Sequence, residues 1–139
     1  MHLELKPLIK AIESLERSLN YANSPLAKQD DGLFEQFRNS AIQCFEYTYE
    51  LCWKFLKRQL EKDAPNPASI DALNYNDLIR QGAESGLIDS PEHWFKYRYY
   101  RNLTSHAYDL LKAQEIFSCL SDFLSDSKQF YNQIQKLNT

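Results

Sequence analysis

"LFEQFRNSAIQCFEYTYELCWKFLKRQLE", residues 33–61, is the stretch whose reading decides the fold. No glycine or proline interrupts it, and its apolar residues recur at helical spacing. Phe37, Ala41, Phe45, Cys52 and Leu56 form one row, and Cys44, Thr48, Leu51 and Phe55 form the row beside it. An apolar face that broad predicts packing against two neighbours. The helix is expected to stop at Asp63-Ala64-Pro65-Asn66-Pro67, because proline disfavours helix at the residue before it and has no N–H to continue the ladder.

On the N-terminal side, Leu5, Leu8, Ile12, Leu15 and Leu19 follow a 3-4-3-4 spacing, which predicts a helix over residues 3–21 with one narrow seam, on the outside of a bundle. The segment YANSPLAKQDDG, 21–32, reads as a loop from its Asn-Ser-Pro and Asp-Asp-Gly clusters. On the C-terminal side a loop reaches Leu73, and a short helix over 75–85 stops at Gly86, a natural left-handed cap. Ser90-Pro91-Glu92 supplies an N-cap, a first-turn proline and a first-turn acid, so a helix starts there and runs through WFKYRYYR. A last helix, from Ser105 or Tyr108 to Leu137, is expected to bury Leu110, Ala113, Phe117, Leu120, Leu124, Phe130, Tyr131 and Ile134. The reading is all-α: an antiparallel up-and-down four-helix bundle with an additional short helix. At 139 residues the chain is long enough for one core and too short for two, so residues 1–139 read as a single domain.

Composition narrows the function. With 43% hydrophobic and 25% charged residues the chain is not a disordered tail, and no apolar run approaches the ~20 residues of a membrane span, so no membrane partner is expected. The opening MHLELKPLIK lacks the apolar core of a signal peptide, which predicts a cytoplasmic protein. Cys44, Cys52 and Cys119 lie in helical patterns without CxxC spacing and read as reduced, buried thiols. A net charge of -3 excludes a broad electrostatic grip on nucleic acid and leaves room only for a local basic patch. There is no HExxH, no Asp/His ligand cluster and no glycine-rich phosphate loop, so neither a metal nor a cofactor is expected.

What remains is RYYRNLTSHAYD, residues 98–109. Arg101 offers a planar fork of donors for phosphate oxygens and for the extra charge of a phosphorane-like transition state. His106 has a side chain that exchanges protons near neutral pH. Asn102 is placed to position a phosphate or ribose hydroxyl, and Tyr108 to do likewise. Metal-free RNA cleavage needs such a set, because RNA carries its own 2'-OH nucleophile. In one unbroken helix residues five apart diverge by about 140°. The pair therefore requires a helix break, for which Thr104 and Ser105 are competent N-caps, or a dimer that joins one subunit's arginine to the other's histidine. A helix starting at those caps would place His106 in its first turn, where free N–H groups favour an anion. A capped, solvated turn is the commoner origin of such a pair. Lys96 and Arg98, with Trp94 and Tyr97, extend a basic-aromatic strip that is the place for an RNA or nucleotide contact, although core packing is the commoner fate of such aromatics. Glu50 and Lys54 read as a surface i,i+4 brace, and Glu46, Glu50 and Trp53 as a solvated stripe rather than a pocket wall.

"FEYTYELCWKFLKRQLE" (45–61), "GLID" (86–89) and "W...RNLTSHAYD" (94–109) resemble the nucleotidyltransferase substrate-binding protein family of the HEPN superfamily. The resemblance spans nearly the whole chain and is most specific in R-N-x-x-x-H-x-Y. It implies a homodimeric helical bundle that works with a separate minimal nucleotidyltransferase, and it matches Arg101 and His106 to an R-x4-6-H ribonuclease motif of toxin type. Asn102 matches the polar residue after the arginine. Tyr108 matches a tyrosine that the partner modifies with AMP in some pairs. The chain departs from many relatives at Tyr100, where they carry an acid. Two functions follow as expectations: a metal-independent endoribonuclease controlled by its nucleotidyltransferase, or a non-catalytic subunit that binds nucleotide or substrate for it. A plain interaction module, with the aromatic strip as its interface, ranks third.

Overall fold

A computed structural model describes residues 2–139, and among them the chain forms eight α-helices and no strand. The all-α bundle expected from the periodicity is therefore what forms, and α3 (Asp31–Asp63) is its axis. Its start is set by Asp30, whose carboxylate accepts from Leu33 N–H at 3.1 Å, and its end by Ala64, extended ahead of Pro65. At 33 residues it is about 50 Å long, so several shorter helices pack along it. Every other α-helix touches it, where the sequence predicted two neighbours.

Helix α1 (Lys6–Ala22) buries Leu5, Leu8, Ile12, Leu15 and Leu19, the seam that spacing predicted, against α3 and α8 (Leu120–Lys136). Ala11 lets the backbones come close enough for the Thr48 hydroxyl to donate to the Ala11 carbonyl at 3.3 Å. The two segments read as loops each contain a five-residue helix, α2 (Pro25–Gln29) and α4 (Pro67–Asp71). Ser24 caps the first and Asn66 the second, each followed by proline in the first turn. Ser-Pro and Asn-Pro serve as turn signals and as helix starts alike, and five residues are too few to show a 3.6-residue period.

Helix α5 (Tyr75–Glu84) closes on Gly86 at φ +77°, as its cap predicted. The chain then turns back so that Leu87 N–H donates to the Gly82 carbonyl at 2.9 Å, and Leu87 and Ile88 enter the core. Helix α6 (Pro91–Leu103) starts at Ser90, whose hydroxyl accepts from His93 N–H. The single last helix proves to be two, α7 (Leu110–Ser118) and α8, parted at Cys119, whose N–H bonds Ile116 in a tighter turn. Apolar residues continue through this kink, so no breaker marks it. Leu110, expected inside, is exposed because it opens α7 on the solvent side, and Phe117, Leu124 and Tyr131 are only half-buried.

The core is tied by edge-to-face aromatics from α3, α6 and α8. Phe45 meets Phe123 at 4.8 Å, Tyr97 meets it at 5.1 Å and Trp94 at 5.8 Å. Phe45→Ala should cost about 3–5 kcal/mol in urea denaturation, since the cavity it leaves lies where three helices meet. Gly86→Ala should cost about 1–2 kcal/mol in the same assay. A methyl there would meet no other atom within 4 Å, so only the left-handed backbone opposes it.

Candidate functional site

Helix α6 ends two residues past Arg101, and a 3-10 turn, Thr104–His106, follows. A break thus separates Arg101 from His106, one of the two arrangements that the spacing left open. The local chemistry differs from the expectation, however. The Thr104 and Ser105 hydroxyls lie 2.7 and 3.2 Å from the Arg101 and Asn102 carbonyls, closing α6 instead of capping the next helix. The N-cap of α7 is Asp109, whose carboxylate accepts from Leu111 and Lys112 N–H at 3.0 and 3.2 Å. His106 is therefore outside that helix's first turn, and Asp109 already occupies the amides an anion would seek.

Two carboxylates of α3 bracket Arg101. Its Nε donates to Glu50 Oε1 at 2.8 Å, its Nη1 to the Thr104 hydroxyl at 3.3 Å, and its Nη2 stands 3.9 Å from Glu46 Oε1. Thr104 Oγ1 in turn lies 2.8 Å from Glu46 Oε2, so its single proton goes either to that carboxylate or to the Arg101 carbonyl. Glu50 pairs across helices with Arg101, not along α3 with Lys54. The ion pair fixes the guanidinium while leaving Nη2 without a hydrogen bond.

Four of the expected site residues line two open cavities. Arg98, Arg101 and Asn102 line one of about 350 Å³, with Glu50, Trp53 and Tyr75. Tyr108, 86% exposed, lines another of about 540 Å³ with Glu46 and Thr104. His106 is exposed, its ring 6.2 Å from that of Tyr108, and it lines neither cavity. One protomer thus brings Arg101 and Asn102 together but does not set the imidazole in their cavity. A larger groove, about 820 Å³ beside Lys10 and Cys44, contains none of these residues.

The basic-aromatic strip also divides. Trp94 and Tyr97 point inward and are buried, so neither ring has a free face for a base: the i,i+3 spacing that aligns them puts both against Phe123. The Tyr97 hydroxyl donates to Asp126, which also holds His93 Nδ1 at 2.9 Å. Lys96 and Arg98 are exposed and border different cavities. The stripe of Glu46, Glu50 and Trp53 on α3, which read as solvated, instead supplies cavity wall. Tyr75 carried no sequence signal. Burial pushes its hydroxyl up to about 12 and raises that of Tyr49 beside it, so both remain neutral.

Set beside known proteins, this helical bundle with a carboxylate-held arginine at the end of α6 has a clear family. The family model described as nucleotidyltransferase substrate binding protein like matches residues 3–136, and the chain belongs to that family. It is 42% identical over 98 residues to a Haemophilus influenzae protein named probable ribonuclease HepT, which is 70% of this chain and 67% of that protein. A solved H. influenzae structure, described as revealing the fold of a substrate binding domain of a nucleotidyltransferase, matches at TM-score 0.90 and 34% identity, over 95% of this chain and 99% of that one. A crystal structure from Thermus thermophilus matches at TM-score 0.69 and 26% identity, over 91% and 98%.

Thr104→Val should lower stability by about 0.5–1.5 kcal/mol in urea titration, because it removes a hydroxyl that accepts from Arg101 and donates to either Glu46 or the Arg101 carbonyl. Burial also separates the thiols: Cys119 is pushed up to about 12 and Cys52 is raised as well, while Cys44 is only half-buried. At pH 8 a thiol reagent should label Cys44 first, with Cys52 and Cys119 reacting only on unfolding, as peptide mass mapping will read.

Proposed function

We propose that this chain is a metal-independent endoribonuclease that works with, and is silenced by, a separate small nucleotidyltransferase. Arg101 offsets the charge on the phosphorane-like transition state, His106 acts as general acid or base, and Asn102 positions the phosphate or ribose. The 2'-OH of RNA attacks the adjacent phosphorus, the 5'-oxygen of the next nucleotide leaves with a proton, and a 2',3'-cyclic phosphate results. The observation that carries this reading is Arg101 itself, a guanidinium held in place by Glu50 and Thr104 with Nη2 still free to donate. The name of the H. influenzae relative supports it. His106 is not among the residues lining the cavity of Arg101, so on this reading the catalytic pair is completed in a homodimer, with one protomer's arginine facing the histidine of a second copy. Tyr108, largely exposed, is the control point: nucleotidylation of its hydroxyl by the partner adds bulk and negative charge where RNA must approach.

A second reading has its own observation. Arg101 is already compensated by Glu50 and flanked by Glu46, an arrangement suited to holding a ligand without chemistry, and a solved relative is described as a substrate binding domain. On that reading the chain presents a nucleotide or substrate to the transferase and cuts nothing.

Purified protein incubated with single-stranded RNA should give cyclic-phosphate ends at a rate unaffected by EDTA. Arg101→Ala and His106→Ala should each lower that rate by about 10²–10⁴-fold while the helical circular-dichroism signal of the folded protein is kept. RNA left intact across the pH range, with the His106 variant indistinguishable in cells, would leave only the binding role. Mass analysis of the Tyr108 peptide after co-expression with the transferase tests the control point.

A further inference from the structure

The cavity between α3, the start of α5 and the last turns of α6 has an aromatic floor. The Trp53 and Tyr75 rings stack with centroids 4.8 Å apart and planes 25° from parallel. Tyr75 is pinned, its hydroxyl donating to the Trp94 carbonyl at 3.3 Å and the Arg98 guanidinium lying over its ring with Cζ 4.3 Å from the centroid. A floor fixed this way loses little side-chain entropy when something settles on it.

The rim is polar. Asn102 is exposed and its amide makes no hydrogen bond among the described residues. Glu50 gives one carboxylate oxygen to Arg101, and Arg101 keeps Nη2 unbonded. Flat aromatic and guanidinium surfaces edged by an amide, a carboxylate and a spare guanidinium donor match the parts of a nucleotide. The base finds stacking faces, its edge finds donors and an acceptor, and the phosphate finds an arginine. An aliphatic ligand would leave that rim unsatisfied, and about 350 Å³ sits at the small end of ligand clefts, too small for a duplex.

We propose that this cavity holds one unpaired nucleotide, its base against Trp53 and the Arg98 guanidinium, which Tyr75 holds in place by lying against both, and its phosphate turned towards Arg101. This rests on reading the chain as a handler of RNA or nucleotide and is indifferent to whether it cuts. The shared chemistry is a nucleoside phosphate, supplied by one residue of single-stranded RNA or by a free nucleotide.

The protein has two tryptophans, of which Trp94 is buried and Trp53 borders the cavity. In a Trp94→Phe variant, Trp53 alone reports. The four nucleoside 5'-monophosphates and an RNA hexamer should quench its emission saturably, and Arg98→Ala should weaken binding about ten- to a hundredfold. Arg58→Ala, which removes the same charge from an exposed site elsewhere on α3, should leave binding nearly unchanged. Calorimetry on the unsubstituted chain and on Arg98→Ala gives the same comparison without touching Trp94. Quenching by the hexamer alone assigns the site to RNA, and quenching by monophosphates as well assigns it to free nucleotide too. No saturable binding of any probe, or equal weakening by Arg98→Ala and Arg58→Ala, overturns the proposal. RNA cleavage measured in parallel separates the two ideas: cutting without binding here removes the subsite alone, and binding without cutting removes the nuclease alone.

Discussion

The ion pair between Glu50 of α3 and Arg101 of α6 ties the end of α6, with its candidate site, to the axis of the molecule. It works because α3 carries two roles on opposite sides. Phe45, Thr48, Cys52 and Leu56 face inward and organise the core, while Glu46, Glu50 and Trp53 on the other side reach the end of α6 and the cavities there. Any shift of α3 in its packing therefore moves the carboxylates that hold the guanidinium. A helix touched by every other helix is also the element least free to shift, which gives the arginine a rigid support.

Charge sets the terms on which a ligand enters. The protein is net acidic, and the one arginine of the motif already has Glu50 as a partner and Glu46 nearby. A phosphate gains from Arg101 and Arg98 but is opposed by both carboxylates, so charge alone makes a weak site. Stacking on an aromatic floor is insensitive to that opposition. A ligand bearing both an anion and a flat ring is favoured over a bare anion, consistent with the net charge of -3.

The long helices were legible because their periods are long and their starts carry caps: the α1 seam, the unbroken run of α3 and the Ser90-Pro91-Glu92 start of α6 are each read from spacing or side-chain chemistry alone. The five-residue helices were not, since Ser24-Pro25 and Asn66-Pro67 carry the same residues whether the chain turns or begins a helix. The kink at Cys119 was hidden for a different reason. Both sides of it bury apolar residues, so the pattern runs on while the backbone does not. At the site, the Arg101–His106 spacing announced a break, but the residue that caps the next helix is Asp109, because Thr104 and Ser105 turn back to the carbonyls behind them.

The order of residues alone determined that the chain is helical, where α3 stops and α6 starts, and which short block gathers the candidate polar residues, because caps, prolines and apolar spacing act over a few residues. Only the tertiary structure decided who meets whom. It matched Glu50 with Arg101 from 51 positions away, drew Trp53 and Tyr75 into one stack, and took Trp94 and Tyr97 out of reach of any ligand by turning them into the core. Those outcomes depend on how far each helix is rotated about its own axis against the others, a quantity set by the packing of the whole core and written in no single segment.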